Sequence, residues 1–203
     1  MNMHAIVFFS LCVASRILQG AEPASEADES ARLLATQICS ICHGSAGNGA
    51  QPTLPNLAAQ QRPYLLAKIK LLRNKAIGEP KDHVDVLGLT LIDDATAEAL
   101  ARYFARQPPP TPISGDSELI AAGNKIFVHG VADRGIAACA ACHGPNAHGI
   151  GIFPRLAGQN AEYIQRQLSA IQARLRDAPV MHGVIKDMTP DEMKAVAAFV
   201  QSK

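Results

Sequence analysis

Five residues constrain this chain more than any others: Cys39-Ser40-Ile41-Cys42-His43, which return one hundred residues later as Cys139-Ala140-Ala141-Cys142-His143. On one helical turn, cysteines three apart both reach the two vinyl groups of a porphyrin and form thioethers. The histidine directly after the second cysteine then lies under the iron. C-x-x-C-H is accordingly the attachment signature of c-type haem. A redox-active disulfide and a four-cysteine zinc site built from both pairs are the competing readings, and neither explains a histidine immediately after each pair. The pattern predicts two haem c groups per chain, with Cys39, Cys42, Cys139 and Cys142 as attachment points and His43 and His143 as proximal iron ligands.

The fifth cysteine, Cys12, falls in the apolar run 5–14, which reads as the core of a secretory signal covering residues 1–21 and is too short to anchor stably in a bilayer. Leu11 stands where a lipidation site needs a small residue, so a lipid anchor is not expected. With Cys12 removed, no cysteine is left for a disulfide. The 19 Lys and Arg against 18 Asp and Glu become equal in number once Arg16 leaves with the signal, so no nucleic-acid partner is implied. The expected location is the periplasm.

The rest of the chain reads as helices in two matching sets, with no β pattern of useful length. A helix over 27–42, with Leu33, Leu34 and Ile38 on one side, runs into the first motif, and Gly44–Gly49 supplies a turn. A second helix spans about 62–76 with Tyr64, Leu65, Ile69 and Leu72 as its apolar face, and a third begins after the N-cap Asp93 with Leu100, Tyr103 and Phe104 inward. Gln107-Pro108-Pro109-Pro110-Thr111-Pro112 cannot continue a helix and reads as a semi-rigid linker. Beyond it, a helix over 118–127 precedes the second motif, and Tyr163, Ile164, Leu168 and Ile171 stand 99 residues after Tyr64, Leu65, Ile69 and Leu72. Thr189-Pro190-Asp191-Glu192 is a capping box that opens the last helix. The expected architecture is all-α, in two tandem units: 22–106, a linker 107–115, and 116–203. Lys68, Lys70, Arg73 and Lys75 make one helix locally basic, either as a solvated face or as a docking surface for an acidic partner.

With both motifs, the proline-rich linker and the matched segments Pro55-Asn56-Leu57-Ala58-Ala59-Gln60 and Pro154-Arg155-Leu156-Ala157-Gly158-Gln159 in view, the chain resembles the dihaem cytochrome c4 family. Ala122-Gly123-Asn124-Lys125-Ile126-Phe127 and residues 135–144 carry the resemblance furthest. The resemblance implies two class I cytochrome c domains facing each other across a pseudo-twofold axis. It also implies that the Pro55 and Pro154 carbonyls accept the Nδ1–H of the proximal histidines. Such a domain expects a distal methionine. Met181, 38 residues after His143, meets that expectation, whereas Met188 and Met193 read as core packing. The first half has no methionine between Cys42 and Cys139; His83, 40 residues after His43, stands in the corresponding loop and is the candidate distal ligand there, with a lysine or no sixth ligand as the alternatives. His182 aligns with His83 and leaves a ligand swap open in the second half, while His129 and His148 read as loop surface.

Both irons being fully ligated, the expectation is an electron carrier between respiratory-chain redox proteins, not an enzyme. No small-molecule substrate is evident, and any contact with a membrane complex would be transient. The alternatives are the dihaem subunit of a flavocytochrome c-type dehydrogenase, or a peroxidase-like or gas-binding haem protein should the first iron keep an open site.

Overall fold

The computed structural model describes residues 25–49, 51–78 and 89–203, so the segment 1–21 expected to be a signal, His83 and its loop lie outside the described residues. The described residues are helical, joined by loops and two isolated bridges, Val131 to Ile136 and Ile150 to Phe153. They pack around two separate hydrophobic cores, one for each half.

In the first half α1 (Glu26–Leu33) starts at Ser25, whose hydroxyl accepts from the Asp28 N–H, and continues without a break as a π-helix, Leu34–Cys39, and then α2 (Ser40–His43). The extent matches the expected helix but the pitch does not. Thr36 donates its hydroxyl to the Arg32 carbonyl at 2.8 Å and Ser40 to the Thr36 carbonyl at 2.7 Å, side-chain bonds that loosen the ordinary ladder just ahead of the motif. The buried line of α1 also differs from expectation. Ala31 and Ala35 enter the core beside Ala97 and Ala101 of α4 (Asp94–Ala105), and this close alanine crossing leaves Leu33 and Ile38 39% and 36% exposed on its flanks.

Between them α3 (Arg62–Gly78) buries Leu65, with Leu66 and Ile69 packed alongside, while Leu72 faces solvent. Lys70 and Arg73 pair with Asp94 at 2.9 and 2.8 Å, and Arg73 donates to the Ile92 carbonyl. These two cations tie α3 to the start of α4, which favours an architectural role over docking.

The second half repeats the plan with a different entry. Here α5 (Ser117–His129) stops at Gly130, whose φ of 68° no β-carbon would tolerate so close to the Ile136 carbonyl, and a short loop leads to α6 (Ala140–His143). His129 therefore ends a helix and is not a loop residue. α7 (Ala161–Gln172) buries Ile164, Leu168 and Ile171 as expected, α8 (Pro179–Ile185) packs on it, and α9 (Pro190–Gln201) opens with the complete Thr189–Glu192 capping box. Met188 and Met193 are buried in this core.

At two positions the backbone conformation is preserved between the halves although the residues differ. Gly47 and Ala147 both have positive φ, 82° and 57°, and so do Ala59 and Gly158, 53° and 73°. An alanine in that region costs on the order of 1 kcal/mol, so the surrounding contacts must hold it there. The linker is not loose: Pro110 is buried against Gly158, and the Ile113 N–H donates to the Gln201 carbonyl at 3.1 Å.

The α5–α9 crossing is closest at Gly123, where a β-carbon would fall 2.0 Å from the Ala195 carbonyl oxygen. Gly123→Ala should destabilise the second half by roughly 1–3 kcal/mol through overpacking, seen as a lowered Tm of one calorimetric transition. Asp94, held below its ordinary carboxylate value of 3.8 by hydrogen bonds from Lys70 and then Arg73, supplies a stabilisation present above that value and lost as pH falls through the depressed one. Asp94→Asn should remove this part of the acid sensitivity of the α3–α4 contact, followed by amide exchange below about pH 4.

Candidate haem sites

Both C-x-x-C-H motifs sit at a helix end followed by a left-handed glycine, Gly44 and Gly144. The chain then loops back upon the histidine. The Gly49 N–H donates to the His43 carbonyl and the Gly149 N–H to the His143 carbonyl, at 2.6 and 2.8 Å. The returning strand is pinned by Leu57 N–H to the Gly47 carbonyl and by Leu156 N–H to the Ala147 carbonyl, both at 2.7 Å. These clamps deliver Pro55 and Pro154 to the imidazoles. His43 donates Nδ1–H to the Pro55 carbonyl at 2.9 Å, and His143 to the Pro154 carbonyl at the same distance.

That leaves Nε2 of each ring as the free lone pair. In the second half Nε2 of His143 is buried without any hydrogen-bond partner, a costly state for a polar atom unless it binds something. Burial holds the His143 pKa below its usual value, against the opposing bond to Pro154, so the ring is the neutral form an iron ligand requires. Burial likewise pushes the Cys139 thiol up to about 11, and raises that of Cys39. The setting is apolar: Phe153 stands edge-on to the His143 ring at 6.3 Å between centroids, and Ile150 and Ile152 are exposed beside it. An orphaned imidazole nitrogen, two half-buried cysteines and an apolar wall fit a covalently attached porphyrin.

Met181 lies on α8, half-buried against the second core. One backbone carbonyl and one side chain of α7 hold that segment. His182 receives its place because it donates Nδ1–H to the Ile171 carbonyl at 3.1 Å, and Gln172 donates to the Ile185, Lys186 and Met188 carbonyls. With its Nδ1 engaged on α7, His182 helps to hold the α8 segment that carries Met181. His148 is exposed.

A cytochrome c family model matches residues 120–203. Cytochrome c4 from Thiocapsa roseopersicina is 31% identical over 190 residues, covering 90% of this chain and 96% of the relative. The crystal structure of reduced recombinant cytochrome c4 from Pseudomonas stutzeri superposes with a TM-score of 0.76 at 31% identity, covering 88% of this chain and 99% of that one. The chain belongs to the cytochrome c4 family. A further relative, named thiosulfate dehydrogenase electron acceptor, from Thiomonas intermedia, is 31% identical over 174 residues, covering 81% of this chain and 78% of the relative.

As a cytochrome c4 family member the protein is a dihaem electron carrier built of two tandem cytochrome c domains, and its partners are redox proteins. Cys39 with Cys42 and Cys139 with Cys142 form its two haem-binding sites. Sequence reasoning passed over the residues that join these sites. Gln60 and Gln159, 6% and 5% exposed, close the matched P-x-L-A-x-Q segments and cross between the halves, where Tyr64 and Arg176 also meet at 3.0 Å. Their recurrence at the 99-residue offset was the available signal, because a glutamine kept in two otherwise apolar segments needs a buried partner.

Replacing Cys39 and Cys42 by alanine should leave a protein with one covalent haem instead of two, and Cys139→Ala/Cys142→Ala should do the same for the other half. Intact-protein mass spectrometry reads this directly. Loss of both haems from either variant would mean that the halves do not mature independently.

Proposed function

We propose that the protein passes electrons one at a time between an electron-donating and an electron-accepting redox protein, in a fixed direction from its first half to its second. Bound haem supplies a one-electron Fe(III)/Fe(II) couple at each site. In this reading His43 and His143 are the proximal ligands, steadied by the Pro55 and Pro154 carbonyls, and the observation that carries it is the buried, unpartnered Nε2 of His143. Met181 is the distal ligand of the second site, with α8 held on α7 by His182 and Gln172. His83 is the distal ligand of the first, supported by the lack of any methionine between the two motifs.

Thioether sulfur favours ferrous iron and a second imidazole favours ferric, so the first site has the lower potential and electrons collect on the second. The domains run over 22–106 and 116–203, joined by 107–115, and residues 1–21 direct export to the periplasm. The name of the Thiomonas relative points to a dehydrogenase as the class of electron donor.

The test is a spectroelectrochemical titration of the wild type and His83→Met. The wild type should show two separated waves, and a ferric methionine–iron charge-transfer band worth one haem. His83→Met should gain a second band while its lower wave rises, each 59 mV or so of change being roughly a tenfold shift in a one-electron equilibrium. Two coincident high-potential waves in the wild type, with two methionine bands, would overturn the ligand assignment.

A further inference from the structure

The peptide unit that holds each proximal histidine is gripped at its other end by the opposite half of the molecule. The Pro55–Asn56 peptide accepts the His43 Nδ1–H at its carbonyl, 2.9 Å, and donates its own N–H to Oε1 of Gln159, 2.8 Å. The Pro154–Arg155 peptide accepts from His143 at 2.9 Å and donates its N–H to Oε1 of Gln60 at 2.6 Å. Each glutamine completes a ring with the same residue: Gln159 Nε2 donates to the Asn56 carbonyl at 3.0 Å, and Gln60 Nε2 to the Arg155 carbonyl at 2.9 Å. The arrangement is reciprocal, and both glutamine amides are engaged across the interface, while Oδ1 of Asn56 beside the first ring is buried without a hydrogen-bond partner.

From this geometry we propose that the two glutamines are positioning residues that set the iron potentials across the interface, Gln159 acting on the site of His43 and Gln60 on the site of His143. The inference rests on both histidines ligating iron. A peptide is a conjugated unit, so an acceptor on its N–H draws electron density toward its carbonyl oxygen and makes that oxygen a better acceptor. A stronger bond to Nδ1–H makes the imidazole a better donor to iron, which favours the ferric state and lowers the potential. No proton is transferred; the gain or loss of one electron at iron is felt through two hydrogen bonds and one amide. A glutamine that only glued the halves together would act alike on both sites. This one acts on the far site, because its own half receives nothing from Oε1 beyond the adjacent Asn160 N–H.

The experiment uses the full dihaem protein and follows the two sites separately, by NMR redox titration of the iron-shifted resonances of each haem and of the His43 Nδ1–H. Gln159→Leu removes the acceptor. It should raise the potential of the His43 site by about threefold in the one-electron equilibrium, near 30 mV at roughly 59 mV per decade, with a smaller change at the His143 site. Gln60→Leu should do the converse. Gln159→Glu keeps an acceptor oxygen and should leave the His43 site at or below the wild-type potential; it carries the test alone should the leucine variant fail to retain both haems. The proposal is overturned by a Gln159→Leu protein whose His143 site shifts more, by one in which neither site shifts, or by a Gln159→Glu protein that rises as far as Gln159→Leu. Absence of any iron-shifted His43 ring resonance in the wild type would instead remove the ligation on which the proposal stands.

Discussion

Each half of the molecule is organised by one hydrogen bond, from the Nδ1–H of a motif histidine to a proline carbonyl eleven or twelve residues further along. Its net contribution to stability is of the order of 1 kcal/mol, and its importance lies elsewhere. It fixes the tautomer and the plane of the ring, so that Nε2 is bare and aimed at one point. Everything between the histidine and the proline serves to bring the two together. The left-handed glycine after the motif turns the chain, the Gly49 and Gly149 amides close the loop on the histidine carbonyl, and Leu57 and Leu156 lock the return. Proline suits the place because its fixed φ orients the peptide and its missing N–H asks for no partner in a crowded loop.

What the sequence made legible follows from how local each signal is. The motifs, the capping box at Thr189 and the N-cap Asp93 are properties of three to five consecutive residues, and the structure has them where they were read. The buried faces of α4 and α7 were readable because large apolar residues at helical spacing have one place to go. The α1 face was not, since a stripe of alanines is silent on any hydropathy scale and the crossing that buries Ala31 and Ala35 depends on the small residues of α4, some sixty positions away. The π turn of Leu34–Cys39 was hidden for a related reason: it depends on where the Thr36 and Ser40 hydroxyls go, not on which residues are apolar. The glutamine pair was hardest, because Gln60 and Gln159 mean nothing until the two halves face each other.

The duplication also separates what the fold requires from what it tolerates. The helical entry to the motif differs between the halves, continuous in one and broken at Gly130 in the other. Two left-handed positions beyond the motif keep their conformation while changing identity, with glycine and alanine exchanged at Gly47 and Ala147 and again at Ala59 and Gly158, whereas left-handed Ala46 has no left-handed counterpart at Asn146. At those two positions the backbone conformation, not the residue, is what the halves share. Alanine is accepted in it when the amide of that peptide and its neighbours are bonded, as Ala147 is through its carbonyl to Leu156 and Ala157.

The strapped linker changes how strong the interface needs to be. With Pro110 packed on Gly158 and Ile113 bonded to Gln201, the span 107–115 delivers the first half to the second at an effective concentration that short tethers place in the millimolar range or above. Two free proteins meeting at that concentration would need a standard free energy of only about −4 kcal/mol to stay together. A contact made of glutamine side chains and backbone groups is too polar to serve as a strong dimer interface, yet in a tethered chain it suffices. The covalent connection thus frees the surface between the two halves from the greasy residues that permanent association demands, and lets polar groups line it instead.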